Sequence, residues 1–396
     1  MTDLFTDVFT GTFGAPAPAP VPVVAPTPLR TPWRFLYGPP QPTGGWSGEF
    51  AQAQSRTLTM RAGAGNNHEA AVDIDGRTLA AAAFTEFEND MQVLYGSQVL
   101  FAGRIAPTAD TLDASAHRVA VTALDYREVL RRRAIYAARS WTNIEQATIA
   151  WNMITTAQAL AGGDLGIAQG AGNPTGITQT YSAAAGDMTG EKIDKVAQTD
   201  GGFDWDITPY GTSDLRFDVF YPGRGGDRGV ILDYGGALVS SITRSVDPSA
   251  YADAVYVTGD SSLTLTPQAL AAPGIATRPE GRWDKVVGTS LKTQSSLNSK
   301  AAWYLTDAEV LVPTYTIQLY PGAWQGPDHI WIGDTVTVRI RSGRLDVNDQ
   351  VAVSEMDFSV GPDNIETLTL TAGRVPWRLY QQIPLMLRRL RDLETR

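Results

Sequence analysis

Three histidines, one pair of aspartates and a run of arginines have chemistry to offer, and spacing decides what each can do. His68, His117 and His329 lie far apart, and none falls in an HExxH or HxH pattern that would set two imidazoles on one metal ion. They read as ordinary surface or loop histidines. Asp204 and Asp206 alternate with Phe203, Trp205 and Ile207, so a strand would hold both carboxylates on one face, about 7 Å apart. That separation suits the acid and base of a glycosidase or the holding of a cation. It is equally the pattern of any half-exposed strand.

Other candidates carry less. DIDG at 73–76 and DVND at 346–349 begin like calcium loops but lack the spaced oxygens and the closing glutamate, and turn chemistry accounts for both. PGRGGDRG at 222–229 has no Gly-Lys-Ser/Thr ending and no following helix to cradle phosphate. It reads as a mobile loop. Arg127, Arg131, Arg132 and Arg133 form a basic run able to meet passing DNA or an acidic neighbour, with a solvated helix end as the simpler reading. No GxSxG and no cysteine is present, which removes the nucleophile elbow, thiol nucleophiles, thiolate metal sites and disulfides. No catalytic residue, cofactor or metal is expected.

The elements that must position these residues are legible from their periods. Val93 and Tyr95 alternate before a Gly96-Ser97 turn, Val99, Phe101, Gly103 and Ile105 alternate after it, and Val119, Val121 and Ala123 repeat the two-residue period of half-buried strands. A helix then opens at Asp125, an N-cap whose charge suits the positive helix end. Thr142 to Glu145 fits a capping box, with Ile144, Ala147, Trp151 and Ile154 on one face and Gly162-Gly163 as the stop. A second helix starts near Thr189 with Ile193 and Val196 inward. Strands 203–207 and 215–219 follow, giving an α+β unit. Further strands are expected at 254–258, 315–319, 335–340, 351–360 and 366–371, with a helix at 295–309.

The hairpin followed by VTALDYREVLRRR at 121–133 resembles the first barrel of phage tail hub proteins. More narrowly, it resembles the minor tail protein family of long-tailed phages infecting actinobacteria. IAWNMITTAQALAGGDLGI at 149–167, GGFDWDITPYGTSDLRFDVFYPGRGG at 201–226 and WIGDTVTVRI…VAVSEMDFSVGPDNIETLTLTAG within 331–373 match that family in order. The resemblance implies a β-rich α+β protein with two antiparallel β-barrels and smaller α+β domains between or inserted. On this division 30–128 is the first barrel, 129–234 an α+β domain, 235–262 with 310–375 the second barrel, and 263–309 a small insertion. It implies a homotrimeric ring at the virion tail tip, assembled in the host bacterial cytoplasm. The distal tail protein and tape measure protein would lie above it and receptor-binding or spike proteins below, with phage DNA passing without specific binding.

Composition agrees with that picture. A chain of 396 residues is long enough for several cores. Its formal charge of −10 argues against a sequence-independent nucleic-acid binder, which needs a basic surface to release phosphate counterions. MTDLFTDVFTGTFG has no basic n-region, and no apolar run approaches the ~20 residues that span a bilayer, so neither signal peptide nor membrane segment is expected.

The termini suggest assembly. Residues 15–29 are a Pro/Ala-rich linker expected to extend as polyproline II. They tether residues 1–14, where Leu4, Phe5, Val8, Phe9 and Phe13 recur at near-helical spacing, as in a docking peptide for a neighbouring subunit. In 376–396, Ile383, Met386, Leu390 and Leu393 form the seam of a short coiled coil. A helix this short needs identical copies, a partner's groove or its own barrel to pack on. Trp33, Trp46, Trp324 and Trp331, beside Gly or Pro in expected loops, suit stacking on sugar rings, so receptor or carbohydrate binding stands as the alternative function, and a tail-associated cell-wall hydrolase as the enzymatic one.

Overall fold

The computed structural model describes residues 33–373 apart from 41–44, 64, 114–115, 171–173, 198–201, 211–213, 247–250, 260–263, 278–280, 289–293, 309–312 and 364. Leu4, Phe5, Val8 and Phe9, the linker at 15–29, and the seam of Ile383, Met386, Leu390 and Leu393 lie outside the described residues.

The chain opens with β1 (Trp33–Gly38), β2 (Gly48–Glu49), β3 (Ser55–Arg61), β4 (Glu69–Asp75), β5 (Asp90–Tyr95), β6 (Gln98–Leu112) and β7 (His117–Asp125). They pair antiparallel in the order β3-β4-β7-β6-β5-β1-β2. Alternation drives this: in β3, Leu58 and Met60 are buried while their neighbours face outward. The Gly96-Ser97 turn falls between β5 and β6 as expected. Asp125 caps α1 (Tyr126–Arg131), its side chain accepting from the Glu128 N–H.

A second set follows: β8 (Arg139–Glu145), α2 (Gln146–Gln158), β9 (Ile167–Gln169), β10 (Thr178–Ala183), α3 (Thr189–Ala197), β11 (Asp204–Tyr210) and β12 (Asp214–Phe220). β10 pairs β8, and β11-β12-β9 form a small mixed sheet. These elements share a core with α1 that includes Tyr126, Leu130, Ile149, Met153, Ile193 and Trp205. The α2 cap is Glu145 and not Thr142, which lies in β8; the Glu145 carboxylate accepts from the Thr148 N–H at 2.7 Å. The helix therefore starts later than a capping box at Thr142 requires. Its buried face is Ile149, Ala150, Met153, Ile154 and Ala157, while Trp151 is only half-buried and stacks on Phe217.

The chain then returns to the large sheet through β13 (Asp227–Asp233) and β14 (Val239–Val246). It makes a satellite of β15 (Ala254–Thr258), β16 (Gln268–Ala271), β17 (Asp284–Gly288) and α4 (Gln294–Ala308), and ends with β18 (Pro313–Leu319), β19 (Thr335–Ser342), β20 (Leu345–Val360) and β21 (Glu366–Gly373). β15, expected in the second barrel, pairs instead with β16 and β17 around its own small core of Val255, Val257, Leu297 and Ala301.

The two barrels expected from sequence are joined into one sheet of 13 strands. The joint is β20, whose 16 residues pair with β19 along the first half, with β3 along the second, and with β21 on the other side. A single core runs through both halves, holding Trp33, Phe35 and Val121 together with Ile317, Val338 and Phe358. Among the described residues neither half closes into a hydrogen-bonded barrel.

Candidate functional site

The loop between β3 and β4 leaves the large sheet and enters the α+β unit. Its backbone donates there: Gly63 N–H to Asp204 Oδ2 at 3.2 Å, Gly65 N–H to Asp194 Oδ1 at 3.1 Å, and His68 N–H to Asp125 Oδ2 at 2.8 Å. The His68 ring is buried. Its Nδ1 accepts from the Arg61 N–H at 3.0 Å, which leaves Nε2 as the protonated nitrogen, and Nε2 lies 2.7 Å from Asp206 Oδ2 as its donor.

Two arginines complete the cluster. Arg224, from the loop at 222–226, sends Nε to Asp204 Oδ2 at 3.0 Å and Nη1 to Asp206 Oδ2 at 2.9 Å, with its guanidinium 4.3 Å from the Phe220 ring centre. Arg127, in α1 and 0% exposed, sends Nε to Asp125 Oδ2 at 2.9 Å and lies 3.7 Å from Asp206 Oδ1. Nearby, Arg131 binds Asp194 at 2.9 Å, and Asp194 Oδ1 accepts from Trp205 Nε1 at 3.0 Å. Burial alone would raise the Asp206 carboxyl, but His68, Arg127 and Arg224 outweigh it and hold it well below the usual carboxylate range. Burial works against the Arg127 charge too, and Asp125, Asp206 and Asp204 reverse that effect.

The same loop grips the large sheet. The Asp334 carboxylate accepts from Gly226 N–H at 3.0 Å, Trp331 N–H at 2.8 Å and Arg228 Nε at 3.2 Å, while Thr335 N–H donates to the Gly226 carbonyl. Gly225 (φ +78°) and Gly333 (φ +87°) allow the approach, since a Cβ on Gly225 would stand 2.3 Å from the Gly333 carbonyl carbon. Between the two grips lies a cleft of about 330 Å³ lined by Phe101, Asp206, Arg216, Arg224, Arg228 and Trp331.

This geometry revises several expectations. Asp204 and Asp206 do share a location, but buried and ion-paired; Asp206, held ionised by its cationic neighbours, has no proton to give as a general acid. His68 is an internal connector, whereas His117 pairs with Asp110 on a half-exposed site and burial lowers the His329 ring. His68, Asp125 and Asp206 come close enough to suggest a metal site. Their inward atoms are already engaged by Arg127, Arg224 and backbone N–H groups, so a cation would have to displace two guanidiniums. The loop read as mobile is pinned at both ends. Arg127 and Arg131 are not a solvated helix end, although Arg132 is exposed beside Glu128.

Asp346 and Asp349 of DVND lie within strand β20 and not in a calcium loop. Trp33 and Trp324 are core residues, stacked 5.9 Å apart, and Trp324 stacks on Trp331 at 6.2 Å; neither forms a sugar platform. Sequence reasoning missed His68, Arg224 and Asp334 as connectors; the one available signal was Arg224, a charged residue set between Gly223 and Gly225 in a loop read as mobile.

No family model matches the chain, and no curated protein matches it. Solved structures do share its fold. A tail protein from Neisseria meningitidis aligns with TM-score 0.57 at 11% identity, covering 87% of this chain and 97% of that one. A 43 kDa prophage tail protein from Shewanella oneidensis aligns with TM-score 0.58 at 13% identity, covering 87% and 99%. A prophage tail protein from Listeria monocytogenes gives 0.51 at 11% identity, covering 86% and 94%. The chain thus has the fold of phage tail proteins, extending over nearly the whole length of each.

Proposed function

We propose that the chain is a non-enzymatic structural subunit of a phage tail, specifically a baseplate or tail tip hub subunit that assembles as a homotrimer. The fold shared with three tail proteins, over 94% or more of each, carries this reading. The two halves of the large sheet, meeting at β20, would take the place of the two barrels of a hub. The distal tail and tape measure proteins would bind above and receptor-binding or spike proteins below, with DNA passing through the ring at the virion tail tip. The role is mechanical, and the buried charge cluster supports it. Asp206, Arg224 and Asp334 fasten the α+β unit to the sheet at two points, so a force on one is transmitted to the other as between rigid bodies.

The test is electron-microscope class averages of the purified protein, with mass by light scattering. A threefold ring with an opening of roughly 20 Å, wide enough for duplex DNA, is the expected result. A particle of monomer mass, in the presence of its neighbouring tail proteins as well as alone, would overturn the hub reading. Turnover of host cell wall by the purified protein would move the assignment to a hydrolase.

A further inference from the structure

A groove of about 100 Å³ opens beside α1, floored by the half-buried side chains of Ala106, Leu124 and Val129 and walled on one side by Phe87. Phe87 is unusual twice over. Its backbone is left-handed (φ +64°), a conformation that bulky residues avoid, and the residue is 56% exposed. Two hydrogen bonds pin it there: Phe87 N–H to the Ile105 carbonyl at 2.8 Å, and Arg104 Nη1 to the Phe87 carbonyl at 2.9 Å. Local structure thus holds an aromatic ring out at the lip of an apolar groove. The opposite rim carries Glu128, Arg132 and Arg133, with Arg104 also lining the groove, so it is basic on balance. Glu128 is paired with Arg132, Arg133 has no ion pair among the described residues, and neither Glu86 nor Glu88 of the Phe87 turn lines the groove.

The occupant this surface fits is acidic and apolar together. Residues 1–14 of this chain are that: Asp3 and Asp7 are their only charged side chains, interleaved with Leu4, Phe5, Val8 and Phe9. The tether is long enough. Residues 15–32 reach roughly 55 Å at the ~3.1 Å per residue of a proline-rich segment. β1 is 6 residues long, so its two ends stand only about 20 Å apart. Its far end, Gly38, accepts from Asn89 Nδ2 at 2.9 Å, two residues from Phe87. The groove is therefore well within reach of the chain that enters at Trp33.

We propose that residues 1–14 dock in cis into the groove between Phe87 and α1, their apolar side chains on Leu124 and Val129 and their aspartates facing Arg132 and Arg133. This goes beyond the tail assignment and does not depend on it. Tethering supplies an effective concentration in the millimolar range, so a contact too weak to detect with free peptide is occupied in the intact chain.

The chain has no cysteine, so full-length protein carrying Phe9→Cys and Val129→Cys reports the contact by disulfide formation. The expected product is an intrachain disulfide, reduced several-fold by Arg132→Glu with Arg133→Glu. Interchain disulfides alone, indicating a second copy as host, or no disulfide, would overturn the proposal. A second measurement needs no groove substitution. Amides at 85–89 and 128–133 are expected to exchange hydrogen several-fold faster once residues 1–14 are removed, and unchanged exchange would refute docking.

Discussion

Asp206 faces three side chains from three different parts of the chain: His68 in the β3–β4 loop and Arg224 in the return loop at 222–226, which donate to it, and Arg127 in α1, an ion pair at 3.7 Å. Removing one member leaves a buried charge uncompensated, and that costs more than the pair itself contributes. Arg224→Met is therefore expected to destabilise the protein by about 3–5 kcal/mol, read as a lower denaturation midpoint. The pH dependence follows from the depressed Asp206 carboxyl. The unfolded chain takes up a proton near the ordinary value of about 3.9, before the native chain does, so this contribution is complete above that value and disappears as pH falls through the lower native one. Asp206→Asn should flatten the acid limb of stability against pH while lowering stability at neutral pH, and an unchanged acid limb would show that Asp206 is not the group responsible. Sequence placed Asp204 and Asp206 side by side correctly. It assigned them to solvent because alternation shows which residues share a face, not what covers that face.

At the scale of elements, the return loop depends on backbone proximity. Gly225→Ala would force a Cβ onto the Gly333 backbone at a left-handed residue. It is expected to loosen the Arg224 and Asp334 contacts together, costing more than the ~1 kcal/mol of an ordinary glycine replacement. Hydrogen exchange across β13 and β11 would register the change, and unaltered exchange at both would count against the loop as a two-sided fastener. The strands and helices were largely readable, including the Asp125 cap, the Gly96-Ser97 turn and the inward Ile193 and Val196. The start of α2 was not. Thr142 and Glu145 have the spacing of a capping box, but Thr142 lies within β8, in the irregularity between the Trp141 and Ile144 pairings with β10, and Glu145 takes the cap.

Across the whole molecule, β20 makes the large sheet continuous and its core common to both halves. Phe358 packs against Trp33, Trp324 and Trp331, side chains drawn from both ends of the described chain. Phe358→Ala is expected to cost about 3–5 kcal/mol and to speed exchange in β3 and β21 alike. Independent loss of one half with the other intact would mean two separately stable units. Periodicity, caps and turn residues established by themselves most of the order of strands and helices, since such signals depend on residues a few positions apart, and the absence of cysteine excluded thiol chemistry. Tertiary structure alone decided that the expected barrels share one sheet, that two tryptophans are core and not platform, and that the aspartate pair fastens the α+β unit to the sheet. His68 and Asp206 are 138 residues apart, and Trp33 and Glu366, joined by a buried hydrogen bond, 333. Burial and charge pairing over such separations depend on which surfaces the folded chain brings together, and no local pattern records that.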